Sequence, residues 1–235
     1  MLSAAAWGAL AASSLVIGAL LAVLRSWRER LIGIVLGFGA GALISSVAFE
    51  LAEEGLKTSG PYGVAVGLAL GAATFFLADR LVQRIGGRNS GSGAGLPLAL
   101  GALLDGIPEQ AVLGIGLASG GGVSVALLVA VFVSNLPEAV GSASDMRSSG
   151  EKRRPIILLW LAVAAVCAAA TLGGYAVADV VSDPVRAGVD GFAAGALLVM
   201  LTNSMVPEAK QKARDWAGLA TVLGFAVAAA LSKLA

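Results

Sequence analysis

The chain has no histidine and a single cysteine, Cys167. Without imidazole and with a single thiol, a metal site in it would draw mainly on oxygen donors. A lone cysteine allows no intrachain disulfide and leaves the redox compartment open. Charge is scarce as well. Asp, Glu, Lys and Arg make up 13% of the 235 residues, and the net charge of +1 gives no reason to expect a nucleic-acid partner. The Gly/Ser run GGRNSGSG lacks the lysine and the Ser/Thr ending of a phosphate-binding loop. No nucleophile–base pair stands out either, so neither an enzyme nor a resident cofactor is expected.

What fills the chain instead is apolar. Hydrophobic residues are 57% and the mean hydropathy is +0.87, more apolar surface than a small soluble globule can hide. Runs of the length a bilayer demands, about 20 residues, start near Leu2, Leu31, Tyr62, Gly93, Gly122, Pro155, Ala187 and Trp216. The expected fold is an all-α integral membrane protein with eight transmembrane helices. The first run lacks a basic leading region and has its arginines after the apolar stretch, so it reads as a spanning helix rather than a signal peptide.

Charge between the runs suggests an orientation. Arg25, Arg28 and Arg30 follow the first run, and Arg80, Arg84 and Arg88 the third. Arg147, Lys152, Arg153 and Arg154 follow the fifth, and Lys210, Lys212 and Arg214 the seventh. The even loops hold only Lys57 and Arg186 beside Glu53, Glu54, Asp179, Asp183 and Asp190. By the positive-inside rule the odd loops are cytoplasmic, and both termini of this multi-pass chain lie outside the cell (inner) membrane. The linker IGGRNSGSGAG and the basic loop MRSSGEKRRP divide one transporter-like domain, 1–235, in a 3+2+3 arrangement. The blocks are a first three-helix repeat (1–85), a central pair (93–147) and a second repeat (155–235). GFGAGAL from Gly37 recurs as GFAAGAL from Gly191. That register sets Glu50 opposite Ser204 and Glu54 opposite Glu208, in helices expected to run in opposite directions, as in an inverted repeat.

The chemistry gathers in the central pair, where LLDGIPEQAV is echoed by FVSNLPEAVG. Asp105 and Glu109 stand at i and i+4, on one helix face. Pro108 has no N–H and frees the carbonyl of Leu104. In the fifth run Ser134 and Glu138 keep the same spacing, with Asn135 alongside and Pro137 freeing the carbonyl of Val133. Carboxylates in lipid are expensive, and neither run carries a Lys or Arg to pair with them. Protons or a bound cation remain, and an all-oxygen set of Asp105, Glu109, Ser134, Asn135 and Glu138 suits a divalent metal ion. The plainer alternative is two kinked helices whose acids are protonated and hydrogen-bonded to neighbours.

At these residues the chain resembles the ZIP metal-ion transporters, in particular their bacterial GufA-like branch. The likeness extends over GFGAGAL, FFLADRL, GFAAGAL with MVPEA, and ATVLGFAVAAAL, and is most specific at the two PE motifs. The family's fourth helix reads H-N-x-P-E-G, so its ligands fall on Asp105 in place of His and on Glu109, with Gly106 and Gln110 replacing Asn and Gly. Its fifth-helix ligands fall on Ser134, Asn135 and Glu138. Ala170 stands near the place of a sixth-helix glutamate, and Asn203, Ser204 and Pro207-Glu208 replace the seventh-helix H-E-x-I-P-E. The resemblance implies transport of zinc, iron, manganese or cadmium, usually into the cytoplasm, by alternating access. The missing imidazoles point toward harder ions such as Mn²⁺. A proton-coupled carrier of another solute, or a non-transporting membrane protein that senses metal, are the alternatives. A homodimer is compatible with any of these. Around the site, Asp145 and Glu208 are expected near the inner mouth and Glu54 near the outer one. Asp79 and Arg80 are expected to anchor the end of the third helix, and Trp7, Trp27, Trp160 and Trp216 to pack or sit at the interface.

Overall fold

The computed structural model describes residues 1–88, 95–118, 125–178 and 182–234. Among them there is no strand, and the chain is a bundle of α1 (Leu2–Leu24), α2 (Glu29–Ser46), α3 (Glu53–Ser59), α4 (Pro61–Arg88), α5 (Gly95–Ala118), α6 (Val125–Ser148), α7 (Arg153–Ala178), α8 (Asp183–Met200), α9 (Val206–Ala213) and α10 (Asp215–Leu234). A π-helical stretch, Val47–Ala52, carries α2 into α3, and another, Leu201–Met205, carries α8 into α9. Seven continuous helical stretches are long and apolar enough to cross a membrane, consistent with a multi-pass membrane protein. The seven include Glu29–Lys57 and Asp183–Ala213, which run through the π turns. α5, where the fourth span is expected, is 24 residues long but is not one of these seven. The expected starts at Gly93 and Gly122 lie outside the described residues.

Small residues set how closely these helices approach. α4 lies along α8, α10 along α2, α5 along α7 and α1 along α6. At Gly41 a Cβ would collide with the backbone of Thr221, and at Gly195 with that of Leu68. Any side chain there would force the helices apart, and in lipid such close packing replaces the hydrophobic drive that water supplies to soluble bundles. The apolar core runs through Leu15, Leu36, Leu43, Val131, Trp160 and Leu197, while Leu158, Leu161, Leu219 and Val222 remain exposed on the outside, as a lipid-facing surface requires. Of the tryptophans, Trp160 is fully buried, Trp27 donates to the carbonyl of Leu21, and Trp216 carries the Arg30 guanidinium over its ring.

The register that aligns Gly37 with Gly191 also aligns Val47 with Leu201, the first residues of the two π stretches. A π turn adds a residue to the local repeat and leaves a carbonyl less well bonded. Two departures from expectation concern charge. α4 continues through Asp79 and Arg80 to Arg88, so these residues do not end the helix. Asp79 accepts a bond from Gln83, and Arg80 lies over the Phe76 ring. Asp190 belongs to α8, not to a loop, and is 7% exposed.

Replacing Gly41 by Val is expected to cost about 2 kcal/mol through overpacking. Gly218, whose Cβ would meet open space, should tolerate Ala within about 0.5 kcal/mol. Unfolding midpoints in a denaturing-detergent titration measure both.

Candidate functional site

Pro108 and Pro137 lie inside continuous helices, and the residues around them converge. Glu109 on α5 is 1% exposed, and Ser134 and Asn135 on α6 are 2% and 1% exposed. The Glu138 charge acts on Glu109, and the Asn135 amide lies beside it. Yet neither carboxylate oxygen of Glu109, nor Asn135 Nδ2, makes a hydrogen bond of good geometry. The Ser134 hydroxyl donates to the Val131 carbonyl at 3.0 Å, which leaves its own oxygen available as an acceptor. Leaving buried polar atoms unpaired costs about 1–3 kcal/mol each, and more for a charged group.

Of the five expected ligands, four are therefore brought to one place between α5 and α6. Asp105 occupies α5 one turn before Glu109, and its side chain lies outside the described residues. Among the described residues no group of three or more His, Cys, Asp or Glu is gathered. What is gathered is two carboxylates, Glu109 and Glu138, with an amide and a hydroxyl.

A cavity of about 160 Å³ leads away from this point and is lined by Gly101, Ser134, Glu138, Ser142, Ser204 and Glu208, among others. It has room for several waters. Three serines and two glutamates give it a polar wall, and one of them, Ser204, stands where the ZIP resemblance put a lost ligand. Asn203, its neighbour, is exposed. Beyond the cavity Lys212 Nζ binds Glu208 Oε1 at 2.6 Å, and Asp145 is under the charges of Lys212, Glu208 and Glu29. The two acids expected at the inner mouth thus stand together.

At the other end of the bundle, Asp190 feels the charges of Arg186 and Glu54, and Arg186 reaches the carbonyl of Ile115 at 3.4 Å. Glu54 is exposed there, and Glu53 forms an exposed pair with Lys57, of the kind that contributes ~0–1 kcal/mol. Asp179 lies outside the described residues.

Sequence reasoning passed over two polar groups. Gln110, next to Glu109, is fully buried and accepts a 2.6 Å bond from Thr171 of α7, with its Nε2 left unpaired. Ser46, the last residue of α2 before the π turn, is buried with an unpaired hydroxyl. A glutamine after a PE motif, inside an apolar run, was the one available sign of the first. Ser46 had none.

Compared with protein-family models and with curated proteins, the chain matches none of either. The site's chemistry therefore has to be argued from its own residues.

The Gln110–Thr171 bond should be structural and the Glu109 carboxyl should not. Thr171→Val, which strands Gln110 Oε1, is expected to cost about 1–3 kcal/mol. Glu109→Gln should leave stability unchanged or raise it, because it removes a buried charge. Thermal unfolding of the detergent-purified protein separates the two.

Proposed function

We propose that the protein is a membrane carrier of divalent metal cations, built as the ZIP transporters are and moving the ion past Glu109 and Glu138 by alternating access. The observation that carries this reading is Glu109. A carboxyl group fully buried in an apolar bundle, under the charge of a second carboxylate and with the Asn135 amide beside it, is a group that a bound cation would stabilise. Asp105, Ser134 and Asn135 complete the proposed oxygen set. Oxygen donors suit Mn²⁺, Mg²⁺ or Ca²⁺ better than Zn²⁺, and zinc, iron, manganese and cadmium are what the ZIP resemblance implies.

Eight spans in a 3+2+3 arrangement with an inverted repeat form part of the proposal. In its support, the aligned π stretches fall in spans two and seven. Packing pairs also exchange under such a repeat: the second span lies on the eighth as the seventh lies on the third, and the fifth on the first as the fourth lies on the sixth. Gly224 abuts the backbone of Phe38 just as Gly71 abuts that of Phe192; the two phenylalanines correspond in the same register, and the two glycines fall one residue out of it. The distribution of Arg and Lys supports termini outside, and uptake toward the cytoplasm follows from the family likeness.

The buried Glu109 also favours a second reading, a carrier in which the acids titrate and drive another solute. Proteoliposomes loaded with a metal-sensitive dye decide between them. Mn²⁺ influx should fall at least about tenfold in Glu109→Gln and in Glu138→Gln, the loss of about 1.4 kcal/mol or more in binding at the site. Proton flux without metal dependence would favour the second reading. Tight Mn²⁺ binding without flux would favour a sensor.

A further inference from the structure

Glu208, in the wall of the cavity below Glu138, is bound by a positive charge supplied by the protein itself. Lys212 stands in the last turn of α9, one turn after Glu208, and its ammonium is 2.6 Å from Glu208 Oε1. An i,i+4 pair on a solvated helix is loosely held, but this one is not fully solvated. The Lys212 side chain is only 18% exposed. α6 backs it at Gly141, where a Cβ would stand 3.2 Å from Lys212 Nζ and 3.5 Å from Glu208 Oε1. The absence of a side chain at Gly141 thus makes room for the pair against α6. Glu208 is at the same time part of the cavity wall that holds Glu138, Ser142 and Ser204.

Two carboxylates from two elements act on the ammonium. Glu208 of α9 bonds it, and Asp145 of α6, itself within reach of Glu29 of α2, feels its charge. A lysine suits such a place, being a compact charge on a flexible stem that can pass from one carboxylate to another.

We infer that Lys212 is a tethered cation that closes the Glu138 cavity at the end bearing α9, and that a divalent ion leaves by displacing it from Glu208. The inference rests on the carrier reading for the identity of the leaving ion, whereas the Lys212–Glu208 bond itself is a property of the fold. A doubly charged ion arriving at Glu208 competes for the carboxylate and repels the ammonium, and Asp145 offers the displaced ammonium a second anion. Lys212 then governs how fast cations pass this end, whereas neutral molecules are unaffected by its charge.

The test uses the full chain in proteoliposomes with Ser142→Cys as a reporter in the cavity wall, the buried Cys167 serving as the unreactive background of the parent. A cationic methanethiosulfonate should modify the reporter about tenfold faster when Lys212→Gln is added, the effect of removing one unit charge at roughly 10 Å in a medium of intermediate dielectric. The neutral methyl reagent should show no such change, and Lys212→Arg should restore the slow rate. Mn²⁺ influx should rise several-fold in Lys212→Gln. Equal rates of cationic labelling with and without Lys212, or equal acceleration of the neutral reagent, overturn the inference whatever the uptake shows. Charge-selective acceleration in a protein that carries no divalent ion supports the closure and instead overturns the carrier reading.

Discussion

A carboxyl group buried in the middle of an apolar bundle, beside a second carboxylate and the Asn135 amide, is the constraint to which the rest of this structure answers. Glu109 cannot be solvated by water there, and no Lys or Arg lies on α5 or in the interior of α6 to neutralise it. Such a group survives only if its surroundings are held rigidly enough that it cannot swing out to lipid or solvent. The packing around the PE motifs supplies this. Gly174 of α7 abuts the backbone of Ala111, and Gly114 that of Thr171, so α5 is clamped one turn beyond Glu109. Gly18 of α1 abuts Leu136 and Ala139 on either side of the Pro137-Glu138 motif. The Gln110–Thr171 bond adds a directional lock to the first of these contacts. Small residues and one buried hydrogen bond fix the two helices that their prolines would otherwise loosen.

The two glutamates are not equivalent, and the difference gives the site a direction. Glu109 is sealed, whereas Glu138 opens on the cavity that continues past Ser142 and Ser204 to Glu208. An ion held between them would be dry on one side and wet on the other. That is the condition for release, since hydration can replace protein oxygens one at a time along the serine-lined wall. At the opposite end Asp190 lies under the charges of Arg186 and Glu54.

The helices were legible because lipid imposes length and apolarity on every span, and the described starts fall close to the predicted ones. The PE motifs were legible because a proline and an acid in an apolar run contradict that rule. What escaped was whatever depends on which groups meet. Asp190 was assigned to a loop because charge in a membrane protein ordinarily marks a boundary, yet here Arg186 one turn away lets the acid be buried. Asp79 and Arg80 were taken as a helix end for the same reason, yet the helix runs through them, with Asp79 bonded to Gln83 and Arg80 over Phe76. The π stretches have no composition of their own. Only the GFGAGAL and GFAAGAL repeat hinted that the two helices share a feature, and it fell short of the residues where they widen. Lys212 read as one of many cytoplasmic positive charges, since nothing in the sequence says that Gly141 faces it.

The absence of histidine bears on what such a site discriminates. Imidazole ligands let a site hold Zn²⁺ strongly while leaving alkaline-earth ions alone, because nitrogen donors favour borderline metals. Carboxylate, amide and hydroxyl oxygens give up that preference, and an ion of any divalent kind then gains mainly from charge. Selectivity must come from elsewhere, either from the rigidity of the glycine clamps, which limits the size of ion that fits between Glu109 and Glu138, or from the cost of stripping its water. The rigid clamps penalise an ion too large for the gap, and the dry side at Glu109 penalises one that holds its hydration shell as tightly as Mg²⁺ does. On the carrier reading both penalties are smallest for an ion of intermediate size and moderate hydration.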